Sequence, residues 1–263
     1  MNNLNQCNEK KFDEIFITTT INEDINKILI KIKKYVFNNT IISPPCTNIP
    51  FWWYLCLKKN KKKIFEKKLH KILLSYIQNK NLAGMTMWLS GNLIKPGHIR
   101  ISHIQRGFPI KEVFNEKKKH VNEIRKKIRK IAKSPNVKNI FSEIFIKSIN
   151  ALAFNMIALK YKQSNSELFL NQNAKKEIEK ILNEGDKILR KNGLKIYQKP
   201  IDRINQTLSS KKHTMSMLTA FKENRKIELK PLWSSFKELS KNLKIKMPFT
   251  EKIFKSLKLN DNF

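Results

Sequence analysis

The residues best suited to chemistry are a few polar side chains in the apolar second half of the chain. They are Lys147, Asn155, Asn165, Ser216 and Glu228. Lys147 and Asn155 share one apolar segment, residues 140–161. If this segment is a helix, their spacing corresponds to about 12 Å of rise and roughly 80° of rotation, so both would line one broad side of a groove. A cation, two carboxamides, a hydroxyl and a carboxylate can hold and protonate a small oxygen-rich substrate.

Each of these residues also has a purely structural interpretation. The chain has 54 Lys and Arg residues, and a single lysine is usually a solvated surface residue. The Asn-rich composition weakens the case for either asparagine in the same way. Ser216 lies between two methionines and is equally suited to capping a helix. Taken singly, none of these residues indicates a function.

A series of short motifs surrounds these residues in a fixed order. In the second half, residues 143–155 read Glu-Ile-Phe-Ile-Lys-Ser-Ile-Asn-Ala-Leu-Ala-Phe-Asn, residues 163–168 Gln-Ser-Asn-Ser-Glu-Leu, residues 213–218 His-Thr-Met-Ser-Met-Leu, and residues 225–229 Arg-Lys-Ile-Glu-Leu. Upstream, residues 43–54 read Ser-Pro-Pro-Cys-Thr-Asn-Ile-Pro-Phe-Trp-Trp-Tyr, and residues 95–103 Lys-Pro-Gly-His-Ile-Arg-Ile-Ser-His. From about Asp13 to Leu257, these motifs resemble those of the 2-dehydropantoate 2-reductase (ketopantoate reductase) family.

This resemblance implies an activity and a role for each residue. The family reduces 2-dehydropantoate, a small keto acid, to pantoate with NADPH, on the route to pantothenate and coenzyme A. By resemblance, Lys147 is the catalytic general acid, and Asn155, Asn165 and Ser216 bind the substrate. Asn48 would lie where nicotinamide and substrate meet, and Glu228 would contact the cofactor or substrate and orient the lysine. A homodimer is a possible assembly.

The glycines argue against a complete dinucleotide-binding fold. The chain has six, and no two are separated by a single residue, so neither G-x-G-x-x-G nor a Walker A loop is present. Glycine at that loop lets a pyrophosphate approach a helix N-terminus. We therefore expect an N-terminally truncated family member, whether a fragment, an incomplete gene model or a decayed copy, in which NADPH binding is weak or absent. An inactive remnant that serves as a helical dimerisation or partner-binding module is an alternative.

Charge and composition bear on partners and location. A formal net charge of +33 favours nucleic acid or another anionic surface, and a basic nucleic-acid-binding protein is a further alternative. The lysines are spread along the chain together with Ile and Asn, however, which favours a bias towards AT-rich codons; we interpret the densest run, Lys58–Lys63, as a solvated loop. Three cysteines without C-x-x-C spacing suggest no disulfide framework or metal site. With no signal peptide and no apolar run of membrane-spanning length, we expect a cytoplasmic protein.

The pattern of elements predicts an α/β portion followed by an all-α portion. Residues 14–18 and 40–43 read as strands around a helical stripe from Ile25 to Val36. Turns are predicted at Gly91-Asn92 and Pro96-Gly97. Beyond Pro135 the spacing is helical; Asn173 is a predicted cap and Gly193 a predicted helix end. We thus expect a partial Rossmann-like domain over residues 1–135 that lacks its first βαβ unit. A helical ketopantoate-reductase-type substrate and dimerisation domain follows over residues 136–263.

Overall fold

The computed structural model describes residues 11–19, 25–43, 47–50, 52–53, 81–114, 117–209 and 213–258. The lysine run at 58–63 lies outside these residues. The chain divides into two compact units, residues 1–144 and 145–263. This division falls inside the helix that begins at Ile140; the domain boundary near Pro135 stays a prediction.

Among the described residues of the first unit, there are six strands and two complete α-helices. In chain order they are β1 (Glu14–Phe16), α1 (Ile25–Ile32), β2 (Ile41–Ser43), β3 (Ala83–Met85), β4 (Trp88–Lys95), β5 (His98–Gly107), β6 (Ile110–Glu112) and α2 (Lys118–Arg129). A single 3-10 turn, Lys33–Tyr35, extends α1. β1 and β2 are parallel, with Glu14 opposite Ile41. Leu82 bridges in parallel to Ile42, and β3 pairs with β6 in antiparallel fashion.

Alternation along β2 places a helix on each side of these strands. Ile41 belongs to an apolar cluster with Val121 and Ile124 of α2. Its neighbour Ile42 belongs to another cluster, with Leu29 and Ile32 of α1. Successive side chains of a strand point to opposite faces, so helix, strands and helix form three layers. The predicted strand–helix–strand pattern is confirmed.

The hairpin of β4 and β5 corrects one of the two predicted turns. Pro96-Gly97 is the turn, and Gly97 has a positive φ of 78°. Gly91-Asn92 instead lies within β4, where Gly91 pairs with Ile101 next to a shift of register. A Cβ at Gly91 would lie 3.2 Å from the Arg100 carbonyl oxygen. Glycine here permits close approach of the strands rather than a turn.

Helices make up the second unit. They are α3 (Ile140–Tyr161, which starts in the first unit), α4 (Asn165–Leu170), α5 (Gln172–Lys191), α6 (Pro200–Leu208), α7 (Ser216–Lys222), α8 (Leu229–Leu243) and α9 (Pro248–Ser256).

The N-cap of α5 is Asn171, whose side chain accepts a hydrogen bond from the Ala174 amide at 3.0 Å. The prediction of Asn173 as the cap is therefore wrong by half a turn. Gly193, with φ of 72°, follows the end of α5 as predicted. No strand occurs beyond Val137 in the described residues.

Helix α3 is apolar on nearly all sides. By length and composition it could cross a membrane, which corrects the expectation that no segment qualifies. Of its most apolar window, 83% is buried inside the protein, as in a core helix. Gly185 of α5 allows close packing, since a Cβ there would lie 2.4 Å from Cγ1 of Ile149.

A side chain of α5, Glu184, caps the N-terminus of α9. The Glu184 carboxylate accepts from the backbone amides of Phe249 and Thr250, each at 2.9 Å, and from the Thr250 hydroxyl at 2.7 Å. Both Glu184 and Thr250 are buried. Because the first amides of a helix have no partner within the helix, this carboxylate satisfies donors that would otherwise be stranded. The predicted order, α/β strands followed by a helical C-terminal portion, is confirmed.

Candidate active site

Lys147 is a half-buried cation on α3. Burial removes water from its ammonium and lowers its pKa from the usual 10.5 to about 8. An ammonium with such a pKa gives up its proton more readily near neutral pH than an ordinary lysine does. This environment suits the role of proton donor.

Asn155 connects α3 to the start of α7. Its side-chain oxygen accepts from the Met217 amide at 3.0 Å, and its side-chain nitrogen donates to the Ala151 carbonyl at 2.8 Å. Met217 is the second residue of α7 and belongs to the group of amides that a helix leaves unpaired. The buried carboxamide therefore positions the first turn of α7, including Ser216. Ser216 is exposed and is the first helical residue rather than the cap, since Met215 takes that position.

Asn165 holds the segment that precedes α7. Its backbone amide donates to the His213 carbonyl at 3.2 Å, and its side-chain nitrogen donates to the Thr207 carbonyl at 3.1 Å. Its side-chain oxygen is buried and has no hydrogen-bond partner in the described part of the chain. A buried acceptor without a partner is costly, so it is a candidate for binding a ligand hydroxyl.

The second unit thus joins some of the predicted site residues. Asn155, Asn165 and Ser216 belong to one set of contacts around residues 213–217. Glu228 is half-buried and immediately precedes α8, at its N-cap position. The convergence of Lys147 and Glu228 on these residues stays a prediction.

Asn48 lies in the first unit, in the segment that follows β2. It is half-buried, and its side-chain oxygen accepts from the amide of Ile49 at 2.7 Å. Because β1 and β2 are parallel, their carboxyl ends lie at one edge, where open α/β sheets bind ligands. The sequence has no glycine-rich loop for the pyrophosphate, and the role of Asn48 beside a nicotinamide stays a prediction. Among the described residues, no group of His, Cys, Asp or Glu could hold a metal ion.

A buried ion pair in the second unit was not identified from the sequence. Arg203 donates to Asp186 and, at 3.2 Å, to the side-chain oxygen of Asn150. Burial raises the pKa of Asp186, and the Arg203 guanidinium opposes that rise. One signal was present: Asp186 follows Leu182 by four residues, on the apolar face of α5, where a charge needs a partner.

Comparison with known proteins connects this geometry to a family. Residues 139–261 match the family model described as "Ketopantoate reductase PanE/ApbA C terminal". No curated protein matches the chain.

Solved structures match both portions of the chain. D-mandelate dehydrogenase with NADH and anilino(oxo)acetate is 16% identical, with a TM-score of 0.74 over 95% of this chain and 75% of that chain. 2-Dehydropantoate 2-reductase from Geobacter metallireducens GS-15 is 16% identical, with a TM-score of 0.73 over 94% of this chain and 77% of that chain. A dimeric ketopantoate reductase from Staphylococcus aureus is 15% identical, with a TM-score of 0.68 over 95% of this chain and 77% of that chain.

At 15–16% identity, these likenesses establish the fold. The resemblance to the ketopantoate reductase family is confirmed, and residues 139–261 belong to that family's C-terminal domain.

Proposed function

We propose that this chain is an NADPH-dependent oxidoreductase that reduces 2-dehydropantoate to pantoate. The observation that carries the proposal is the desolvated Lys147, with its pKa of about 8, at the position of the family's motif lysine. It lies within the region that matches the ketopantoate reductase C-terminal domain.

Lys147 supplies the proton in this proposal. The reduced nicotinamide, when bound, supplies a hydride to the carbonyl carbon of the keto acid. Negative charge then develops on the carbonyl oxygen, and the Lys147 ammonium donates a proton to that oxygen and becomes a neutral amine. Glu228 orients the lysine and contacts the cofactor or the substrate.

The carboxamides and the hydroxyl bind the oxygen atoms of the substrate. The unpartnered side-chain oxygen of Asn165 accepts a hydrogen bond from the substrate hydroxyl. Ser216, whose helix start is held by Asn155, donates to the substrate carboxylate. Asn155 also has a second side-chain N–H for the same ligand. Asn48 lies beside the nicotinamide ring.

The missing glycine spacing supports one alternative. A chain without the phosphate-binding loop binds NADPH weakly or not at all, and the helical portion would then serve as an inactive dimerisation or partner-binding module. The dimeric state of the Staphylococcus aureus enzyme is consistent with a homodimer in either case. We place the protein in the cytoplasm.

The test is the turnover of the Lys147→Ala variant with 2-dehydropantoate and saturating NADPH. Removal of the proton donor should lower kcat about 100-fold or more, with a smaller change in KM. Lys147→Arg keeps the charge but is a poor acid, so it should be nearly as slow. Lys160→Ala, on the same helix, is the matched control and should retain most of its turnover. Unchanged turnover in Lys147→Ala would exclude Lys147 as the acid, and an inactive parent chain with saturating cofactor would favour the inactive module.

A further inference from the structure

An open cavity of about 810 Å³ lies on the first unit between the end of β5 and the turn that follows α2. Its lining includes Arg106, Arg129, Lys130, Ile131, Lys133 and Ser134. This volume is within the range of cavities that bind small organic ligands. Neither Asn48 nor any other predicted reductase residue lines it.

Hydrogen bonds hold the floor of this cavity in place. The Phe108 amide donates to the Lys133 carbonyl at 2.8 Å, and the Ser134 hydroxyl donates to the Phe108 carbonyl at 2.6 Å. Gly107 has a positive φ of 69°, and a Cβ there would lie 2.1 Å from the Lys133 carbonyl oxygen. The turn therefore rests directly on the end of β5, in a contact that only glycine allows.

Within the described part of the chain, the lining carries four cations and no carboxylate. Arg106 is neutralised by the buried Glu143, with contacts of 2.7 and 3.0 Å. The guanidinium of Arg129 is oriented by its Nε, which donates to the Ser134 carbonyl at 2.9 Å. Lys130 and Lys133 are exposed. Three positive charges beyond the ion pair thus border one cavity, which favours a ligand with more than one negative charge.

An apolar side chain lies among these charges. Ile131 is 87% exposed although it is held between Lys130 and Lys133 in the turn. An inorganic anion gains nothing from an isoleucine, whereas an organic phosphate can cover it with its apolar body.

We propose that this cavity binds a phosphate-bearing ligand of nucleotide size. Arg129, Lys130 and Lys133 hold the phosphates, and Ile131 contacts the organic part of the ligand. The lining of this cavity shares no residue with the proposed reductase site, so either proposal can fail without the other.

Calorimetric titration of the full chain with ATP, without magnesium and at low salt, tests this site. Lys130→Gln with Lys133→Gln should weaken ATP binding about five-fold or more, because it removes two of the three positive charges outside the ion pair. The control is Lys118→Gln with Lys119→Gln, at the opposite end of α2, roughly 18 Å away. It removes the same charge from exposed positions and should change the affinity less than two-fold.

Two further titrations separate the sources of phosphate. Pyrophosphate should bind more weakly than ATP, and Ile131→Ser should weaken only ATP. Equal affinity for both anions would overturn the assignment to a ligand of nucleotide size. No measurable ATP binding, an equal loss in both lysine pairs, or binding of a single-stranded oligonucleotide in place of ATP would overturn the site itself.

Discussion

Burial of Lys147 lowers the stability of the folded protein, but it makes the side chain a better proton donor. The folded protein holds an ammonium where water is scarce, which disfavours the charged form and lowers the pKa. The same shift brings proton donation closer to neutral pH. A residue that suits catalysis is therefore expected to reduce the stability of the fold.

Replacement of Lys147 by Met should raise the free energy of unfolding at pH 7. The pKa in the folded state, about 8, is below the ordinary 10.5, so the unfolded chain binds more protons between these values. The free-energy cost of burying the charged Lys147 ammonium is thus fully present below pH 8, and it disappears as the pH rises towards 10.5. The gain in stability at pH 7 should be at most about 3.5 kcal/mol, since one pKa unit corresponds to about 1.4 kcal/mol.

Thermal unfolding at pH 7 and pH 10 measures this difference. Lys160→Met is the matched control, and it should lower stability because Lys160 contacts Glu177 at 2.6 Å. A Lys147→Met protein that is less stable than the parent at pH 7, or a difference that does not shrink at pH 10, would contradict the assigned cause.

The identity of the candidate residues could be predicted from motifs, but their partners could not. The motif predicts Asn155 as a substrate ligand, whereas its contact with the Met217 amide depends on how α7 packs against α3. Asn150, on the same helix, contacts the buried Arg203, which is distant in sequence. Spacing along one helix predicts which side chains share a face, but not which other helix meets that face.

At the scale of elements, the packing of α5 on α3 depends on Gly185. Helix periodicity predicted α5 and its apolar face, yet a glycine in mid-helix normally lowers helix stability. Here a Cβ would lie 2.4 and 2.5 Å from side-chain atoms of Ile149. Glycine is needed for the distance between two helices, which no local pattern encodes.

Gly185→Ala should therefore destabilise the protein, against the usual gain of about 1 kcal/mol for this substitution in a helix. We expect a net loss of about 1–3 kcal/mol because Ile149 must shift in a packed core. Chemical denaturation of Gly185→Ala, Ile149→Ala and the double variant measures the coupling. Gly185→Ala should cost little stability in the Ile149→Ala protein, because the side chain that it would contact is gone. If Gly185→Ala lowers stability equally with Ile149 and with Ala at position 149, the close contact is not the cause of the loss.

At the scale of the whole molecule, we expect poor NADPH binding. The sequence lacks the glycine spacing that lets a pyrophosphate approach a helix N-terminus. Fluorescence titration should give a dissociation constant well above the micromolar range. The Lys130→Gln, Lys133→Gln variant must be titrated in parallel, because the basic cavity of the first unit would also attract the phosphates of NADPH. Micromolar affinity that survives in this variant would prove the expectation wrong.

The contact between Glu184 and the first turn of α9 links two segments that are 66 residues apart in the chain. During synthesis, the carboxylate emerges from the ribosome well before its donors do, and until then only water can satisfy it. The second unit can therefore complete its packing only after α9 has emerged, which makes the docking of this helix a late event in folding. A nascent chain halted before Pro248 would retain a solvated Glu184 and an unfinished core, a state that quality-control proteases would recognise.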